Sequence, residues 1–188
     1  MRVVAAVLTL VAVLAGCSRG SGQPDGFDVA PEPSREASGG PIPPVRTPKN
    51  LAAIQPCLML TPAQLEALRI DQPGVPKAVL GSAGCEWGDR AKTRQFAVYV
   101  DIGNDVLGNV YSQRSALPVF ELIEVAGLPA IRTKDNVDGS TCYVRVATAE
   151  AQTLIVRFTS LRQDRGDSCG PAKAFAETVV GNLPPLTG

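Results

Sequence analysis

Histidine is absent from all 188 residues. It is the commonest general base and a common metal ligand, so its absence removes histidine-activated serine or cysteine nucleophiles, histidine proton relays and mixed Cys/His zinc sites together. An excess of charge is missing as well: 18 Lys and Arg face 18 Asp and Glu, for a net charge of zero. A chain so balanced has no electrostatic footprint for nucleic acid or an anionic bilayer. Nor is there a long apolar run. The longest, Val3–Leu14, has 12 residues, with Thr9 its one polar member; crossing a bilayer core takes roughly 20. There is no Gly-rich phosphate loop of the usual type, no Cys-x-x-Cys pair and no cofactor signature.

What the N-terminal stretch does contain is a targeting pattern. Arg2 supplies a short basic region, the apolar run follows, and Leu14-Ala15-Gly16-Cys17 closes it. A run of this length suits the apolar part of a signal peptide. The last four residues resemble the lipobox of bacterial lipoproteins, in which the cysteine thiol takes a diacylglycerol and becomes the mature N-terminus. Residues 1–16 are therefore expected to be a lipoprotein signal peptide. Cys17 is expected to carry acyl chains, palmitate among them, and the chain to sit on the extracytoplasmic face of the cell membrane. Each buried CH₂ of such an anchor contributes about 0.8 kcal/mol.

Residues 17–50 read as the lipidated cysteine and a tether. Of the 31 residues from Ser18 to Pro48, 7 are Pro, 5 Gly and 4 Ser. A stretch this poor in large apolar side chains cannot bury enough surface to offset its ordering entropy.

Residues 51–188 have globular composition. Thr61-Pro62 reads as an N-cap and first helical position, opening a short helix to about Arg69. Residues 73–84 read as a loop. Strict alternation marks a strand over Gln95–Ile102, and further strands are expected at Cys85–Trp87, Phe120–Val125, Ala130–Lys134, Thr141–Ala147 and Thr153–Ser160. Asp138-Gly139 is a hairpin signal between two of them. A second helix is expected over Asp105–Arg114. A last one opens at Pro171, with Phe175, Val179 and Leu183 on one face. The order predicts an α+β fold, a single antiparallel sheet with helices packed on one face.

Four cysteines remain besides Cys17. In an exported domain two disulfides are the expectation, and Cys57–Cys85 with Cys142–Cys169 is the favoured pairing, each joining a strand to a helix entrance across a local loop. Some motifs mislead. Gly166-Asp167-Ser168-Cys169-Gly170 has the Gly-x-Ser-x-Gly pattern of serine hydrolases, but no histidine exists to activate Ser168, so a polar loop before the last helix is the better reading. Asp135–Ser140 has the wrong ligand spacing for calcium and reads as a turn. Trp87, two residues after Cys85, is expected in the core beside a disulfide rather than on a binding surface. No metal site is expected.

Taken in order, these elements resemble a known family. Cys57-Leu58-Met59-Leu60-Thr61-Pro62-Ala63-Gln64-Leu65 is similar to the opening of a family of actinobacterial lipoproteins labelled domain of unknown function 3558. Gly84-Cys85-Glu86-Trp87, Val125-Ala126-Gly127-Leu128-Pro129-Ala130, Cys142 before a strand, and Asp167-Ser168-Cys169 before a helix ending in Asn182-Leu183-Pro184 are similar to its later elements. The resemblance implies a compact, disulfide-bearing extracytoplasmic domain. It implies no activity and no catalytic residues.

Function is therefore expected to be a non-enzymatic binding or interaction module at the cell envelope. Its partners would be the membrane through the N-terminal lipid, and an envelope protein or small ligand; nucleic acid is not expected. A carboxylate-based hydrolase and a carrier of a small apolar ligand are the rivals. With Phe96, Val98, Val100, Cys142, Val144 and Val146 turned to the helices, a period of two places Tyr99, Tyr143 and Arg145 on the other face, joined by Arg157. Tyrosine and arginine anchor interfaces more than most residues do, so these four form the candidate binding surface.

Overall fold

The computed structural model describes residues 41–162 and 166–187. The expected signal segment, Cys17 and the tether up to Gly40 lie outside the described residues.

Seven strands form one antiparallel sheet: β1 (Val75–Val79), β2 (Ser82–Gly88), β3 (Arg94–Ile102), β4 (Val119–Val125), β5 (Leu128–Lys134), β6 (Thr141–Ala149) and β7 (Gln152–Ser160). Their spatial order is β1-β2-β3-β7-β6-β5-β4. Two meanders, β1 to β3 and β4 to β7, meet where β3 pairs with β7, from Ile102 opposite Gln152 to Arg94 opposite Ser160. The alternation read from the sequence sets which face is core. Phe96 and Val98 on β3, Cys142, Val144 and Val146 on β6, and Leu154, Val156 and Phe158 on β7 are all buried in one cluster.

Helix α3 (Cys169–Asn182) covers that face, packing on β6 and β7 and burying Ala172, Phe175, Ala176, Val179 and Val180. The Phe175 ring stacks on Phe96 at 4.8 Å and meets Trp87 edge-on at 5.8 Å. Truncating such a side chain to alanine typically costs about 3–5 kcal/mol. Trp87 lies in the core beside the Cys57–Cys85 disulfide, where the sequence placed it. The short helix α1 (Pro62–Ala67) begins with Thr61 and Gln64 in a reciprocal capping box. The Gln64 amide exchanges hydrogen bonds of 3.0 and 2.8 Å with Asn182, whose Nδ2 also donates to the Met59 carbonyl at 2.7 Å. That tie fastens α1 to the end of α3.

Both disulfides have the expected pairing. Cys57–Cys85 joins the N-terminal segment to β2, and Cys142–Cys169 joins β6 to the first residue of α3, with Cα separations of 5.0 and 5.2 Å.

Two expectations need correction. Residues 73–84 are not loop: they hold β1, its turn and the start of β2. Every residue of β1 is exposed at the sheet edge, so no alternation marked it. Its turn is Leu80-Gly81, both at positive φ (49° and 87°), without the usual asparagine or aspartate. Second, the helices do not all share a face. Helix α2 (Val106–Ser112) packs on β6 from the other side: Leu107 is buried outside the main core cluster, and Tyr111 meets Phe120 of β4 edge-on at 5.7 Å. The cause is topological. The chain must travel from β3, in the middle of the sheet, to β4 at its far edge, and α3 covers the other side. The turn expected over Asp135–Ser140 is present between β5 and β6, with Asp138-Gly139 inside it and the Gly139 N–H donating to the Asn136 carbonyl at 3.1 Å.

Candidate functional site

The register of the sheet fixes what its second face presents. One row runs Lys77, Gly84, Tyr99, Ile155, Arg145, Ile131, Leu122 from edge to edge; the next runs Val75, Glu86, Ala97, Arg157, Tyr143, Thr133, Phe120. All four residues of the expected binding surface thus lie on one face, in two adjacent rows. Tyr143 stands directly opposite Arg157.

Their accessibility differs. Tyr99 is only 7 % exposed, while Tyr143, Arg145 and Arg157 are half-buried. Gly84 explains Tyr99: the bare backbone of β2 lets the ring lie flat against it, in the space a Cβ at that position would need. Burial pushes the Tyr99 phenol up from its ordinary value; Glu86 and Tyr143 add to this and Arg157 opposes it. Tyr99 is therefore a neutral floor at physiological pH, and the accessible part of the patch is Tyr143, Arg145 and Arg157.

Arg157 is held by a network that the sequence did not single out. Its Nη2 donates to Glu86 Oε2 and to Gln95 Oε1, both at 3.2 Å, and its guanidinium lies 5.9 Å from the Tyr99 ring. The Gln95 amide donates to the other oxygen of Glu86. Both oxygens of Glu86 are thus taken. The alternation on β2 was the available signal, since Cys85 and Trp87 facing the core turn Glu86 outward.

Arg145 is held differently. Its Nη1 donates to the hydroxyl of buried Thr133 at 2.7 Å, and its guanidinium stacks over the Tyr143 ring at 5.0 Å. Among the described residues it makes no ion pair with a carboxylate. Burial pushes the guanidinium below its ordinary value, opposed by Tyr143 and by Asp135 in the β5–β6 turn. It nonetheless stays charged at any physiological pH.

The tempting motifs resolve into structure. Ser168 is 1 % exposed, with its hydroxyl buried at the start of α3. Asp167 beside it caps that helix: Oδ1 accepts from Cys169 N–H at 2.9 Å and from Gly170 N–H at 3.1 Å. Among the described residues no three His, Cys, Asp or Glu side chains are placed to hold a metal ion, and no helix is long and apolar enough to cross a membrane.

No curated protein and no solved structure matches the chain. A family model does. The one described as "Protein of unknown function (DUF3558)" matches residues 12–182, so the chain belongs to that family.

Proposed function

We propose that this protein is an exported lipoprotein, anchored through Cys17 to the extracytoplasmic face of the cell membrane, and that its folded domain is a non-enzymatic binding module. The contact surface is the sheet face bearing Tyr143, Arg145 and Arg157. One observation carries the binding reading: this face presents arginine and tyrosine side chains held in place by neighbours, Arg157 by Glu86 and Gln95 and Arg145 by Thr133 and Tyr143. Side chains fixed before contact lose little entropy on binding. The two intradomain disulfides support export, since such bonds persist in oxidising compartments. The rival hydrolase has less behind it, because Glu86, the carboxylate nearest the patch, has both oxygens engaged.

Two measurements test the reading. Cys17→Ser should abolish acylation and move the protein out of the membrane fraction; persistent membrane binding with palmitate labelling would overturn the address. A photo-crosslinking residue in place of Tyr143, in the full chain in living cells, should give a discrete adduct. The same residue at exposed Val137 should not. Equal adduct patterns from both positions would overturn the contact surface.

A further inference from the structure

We propose that Arg145 is the receptor for a single carboxylate carried by an acidic segment of a partner protein. The inference rests on the reading of this face as the contact surface and adds the chemistry of what it contacts.

Arg145 has three nitrogens. Thr133 takes Nη1. Among the described residues Nε and Nη2 have no protein acceptor, and neither is a buried polar atom left without a partner, so both reach solvent. Nε and Nη2 form one side of the planar guanidinium, the edge whose two parallel N–H bonds match the two oxygens of a carboxylate. The guanidinium carbon lies over the Tyr143 ring, 5.0 Å from its centroid, and this contact together with the Thr133 bond restrains the group. The fork is therefore oriented before any ligand arrives.

Charge selects the ligand. The two middle rows of the face carry Lys77, Arg145 and Arg157 against Glu86 alone, and Glu86 is bound to Arg157. Of the other acids on this side of the sheet, Asp101 and Glu124 lie in the next row towards the β1–β2 turn, where Ser82 and Asn104 donate to Asp101 at 3.3 and 2.9 Å, and Asp135 is exposed in the β5–β6 turn. Arg145 is thus a half-buried cation with no ion pair to a carboxylate among the described residues, attracted at longer range by Asp135 in the β5–β6 turn, and its partial desolvation is compensated best by an anion placed on the free edge. One positive charge with a neutral hydroxyl and a neutral ring matches a monoanion. Phosphate calls for more than this site offers, because Arg157 is already neutralised. The flanking Tyr143, half-exposed, supplies the apolar contact that a protein segment brings beside its carboxylate.

The experiment uses the chain purified from the envelope in a zwitterionic detergent, with the arginine Nε–Hε signals followed by NMR at low ionic strength. The probes are a hexaglutamate peptide, a hexaglutamine peptide and inorganic phosphate. Hexaglutamate should shift the Arg145 signal saturably, and hexaglutamine should not. Arg145→Gln should weaken binding of hexaglutamate by about ten- to hundredfold. Arg145→Lys, which keeps the charge and loses the fork, should also weaken it, with an unchanged melting temperature showing an intact fold. An Arg145 signal indifferent to hexaglutamate, or one that responds to phosphate and not to the peptide, overturns the assignment. Full affinity in Arg145→Lys overturns the fork. Because the Tyr143 crosslink is scored separately, a captured partner with an unresponsive Arg145 would leave the contact surface standing and remove only its chemistry.

Discussion

Gly84 and Tyr99 face each other across β2 and β3, and the tyrosine ring fills the space a side chain on the glycine would need. A Cβ at position 84 would also collide with the Val98 carbonyl oxygen, which belongs to the backbone and cannot turn away. Gly84→Ala should therefore overpack the sheet and lower stability by about 1–3 kcal/mol, read by urea denaturation with the disulfides intact. The same change should weaken crosslinking from Tyr143, because a displaced Tyr99 no longer supports Arg157. A Gly84→Ala variant as stable as the parent would show that the sheet adjusts freely here.

The disulfides act on different halves of the core. Cys142–Cys169 clips α3 to β6, and Cys57–Cys85 clips the N-terminal segment to β2 beside Trp87. That second site is tight: a Cβ on Gly74 would come within 2.5 Å of Trp87 Nε1 and 2.7 Å of Cys85 Sγ. Replacing Cys142 and Cys169 together by alanine should cost about 3–4 kcal/mol in the loop-entropy account. Chemical denaturation under non-reducing conditions measures it, and a loss below about 1 kcal/mol would count against that account.

The parts of this fold legible in the sequence were those with a buried face. On β3, β6 and β7 every second residue is core, so period two identified the strands and correctly grouped Tyr99, Tyr143, Arg145 and Arg157 on one face. The Phe175–Val179–Leu183 spacing did the same for α3. Strand β1 was invisible because an edge strand with no buried residue has no alternation, and Pro76 argues against a strand. The side taken by α2 was also hidden. Its pattern shows that Leu107 is buried, not which of two sheet faces buries it. Glu86 and Gln95 were missed as site residues because only the pairing of β2, β3 and β7 brings them to Arg157.

Acid should weaken the β2–β3 connection first. Asp89 accepts from the backbone N–H groups of Thr93 at 2.6 Å and Arg94 at 3.1 Å and from the Thr93 hydroxyl. Burial raises its pKa, but these bonds and the nearby Arg94 charge together outweigh that and hold the carboxyl below its ordinary value. A carboxylate depressed in the folded state contributes its full stability above the unfolded value, near pH 4, and loses it as pH falls through the folded value. Stability should therefore decline on acidification below about pH 4, and Asp89→Asn should flatten that decline. Parallel pH profiles for the two proteins would remove Asp89 from the explanation.

Leu80 offers a gain. It occupies the first central position of the β1–β2 turn at φ 49°, with Gly81 following at φ 87°. Both positive angles fit the mirror-image turn that suits the twist of a hairpin, and the left-handed region costs an ordinary L-residue about 1–2 kcal/mol. Leucine recovers none of this by packing, because its side chain is fully exposed. Asparagine tolerates the same conformation through local hydrogen bonding. Leu80→Asn should therefore stabilise the protein by up to about 1 kcal/mol, with no change in the Tyr143 crosslink, since the turn lies beyond the rows that hold Arg145 and Arg157. Thermal and urea denaturation would show the gain. A lower midpoint for Leu80→Asn would mean that the leucine makes a contact in the native setting that outweighs its strained backbone.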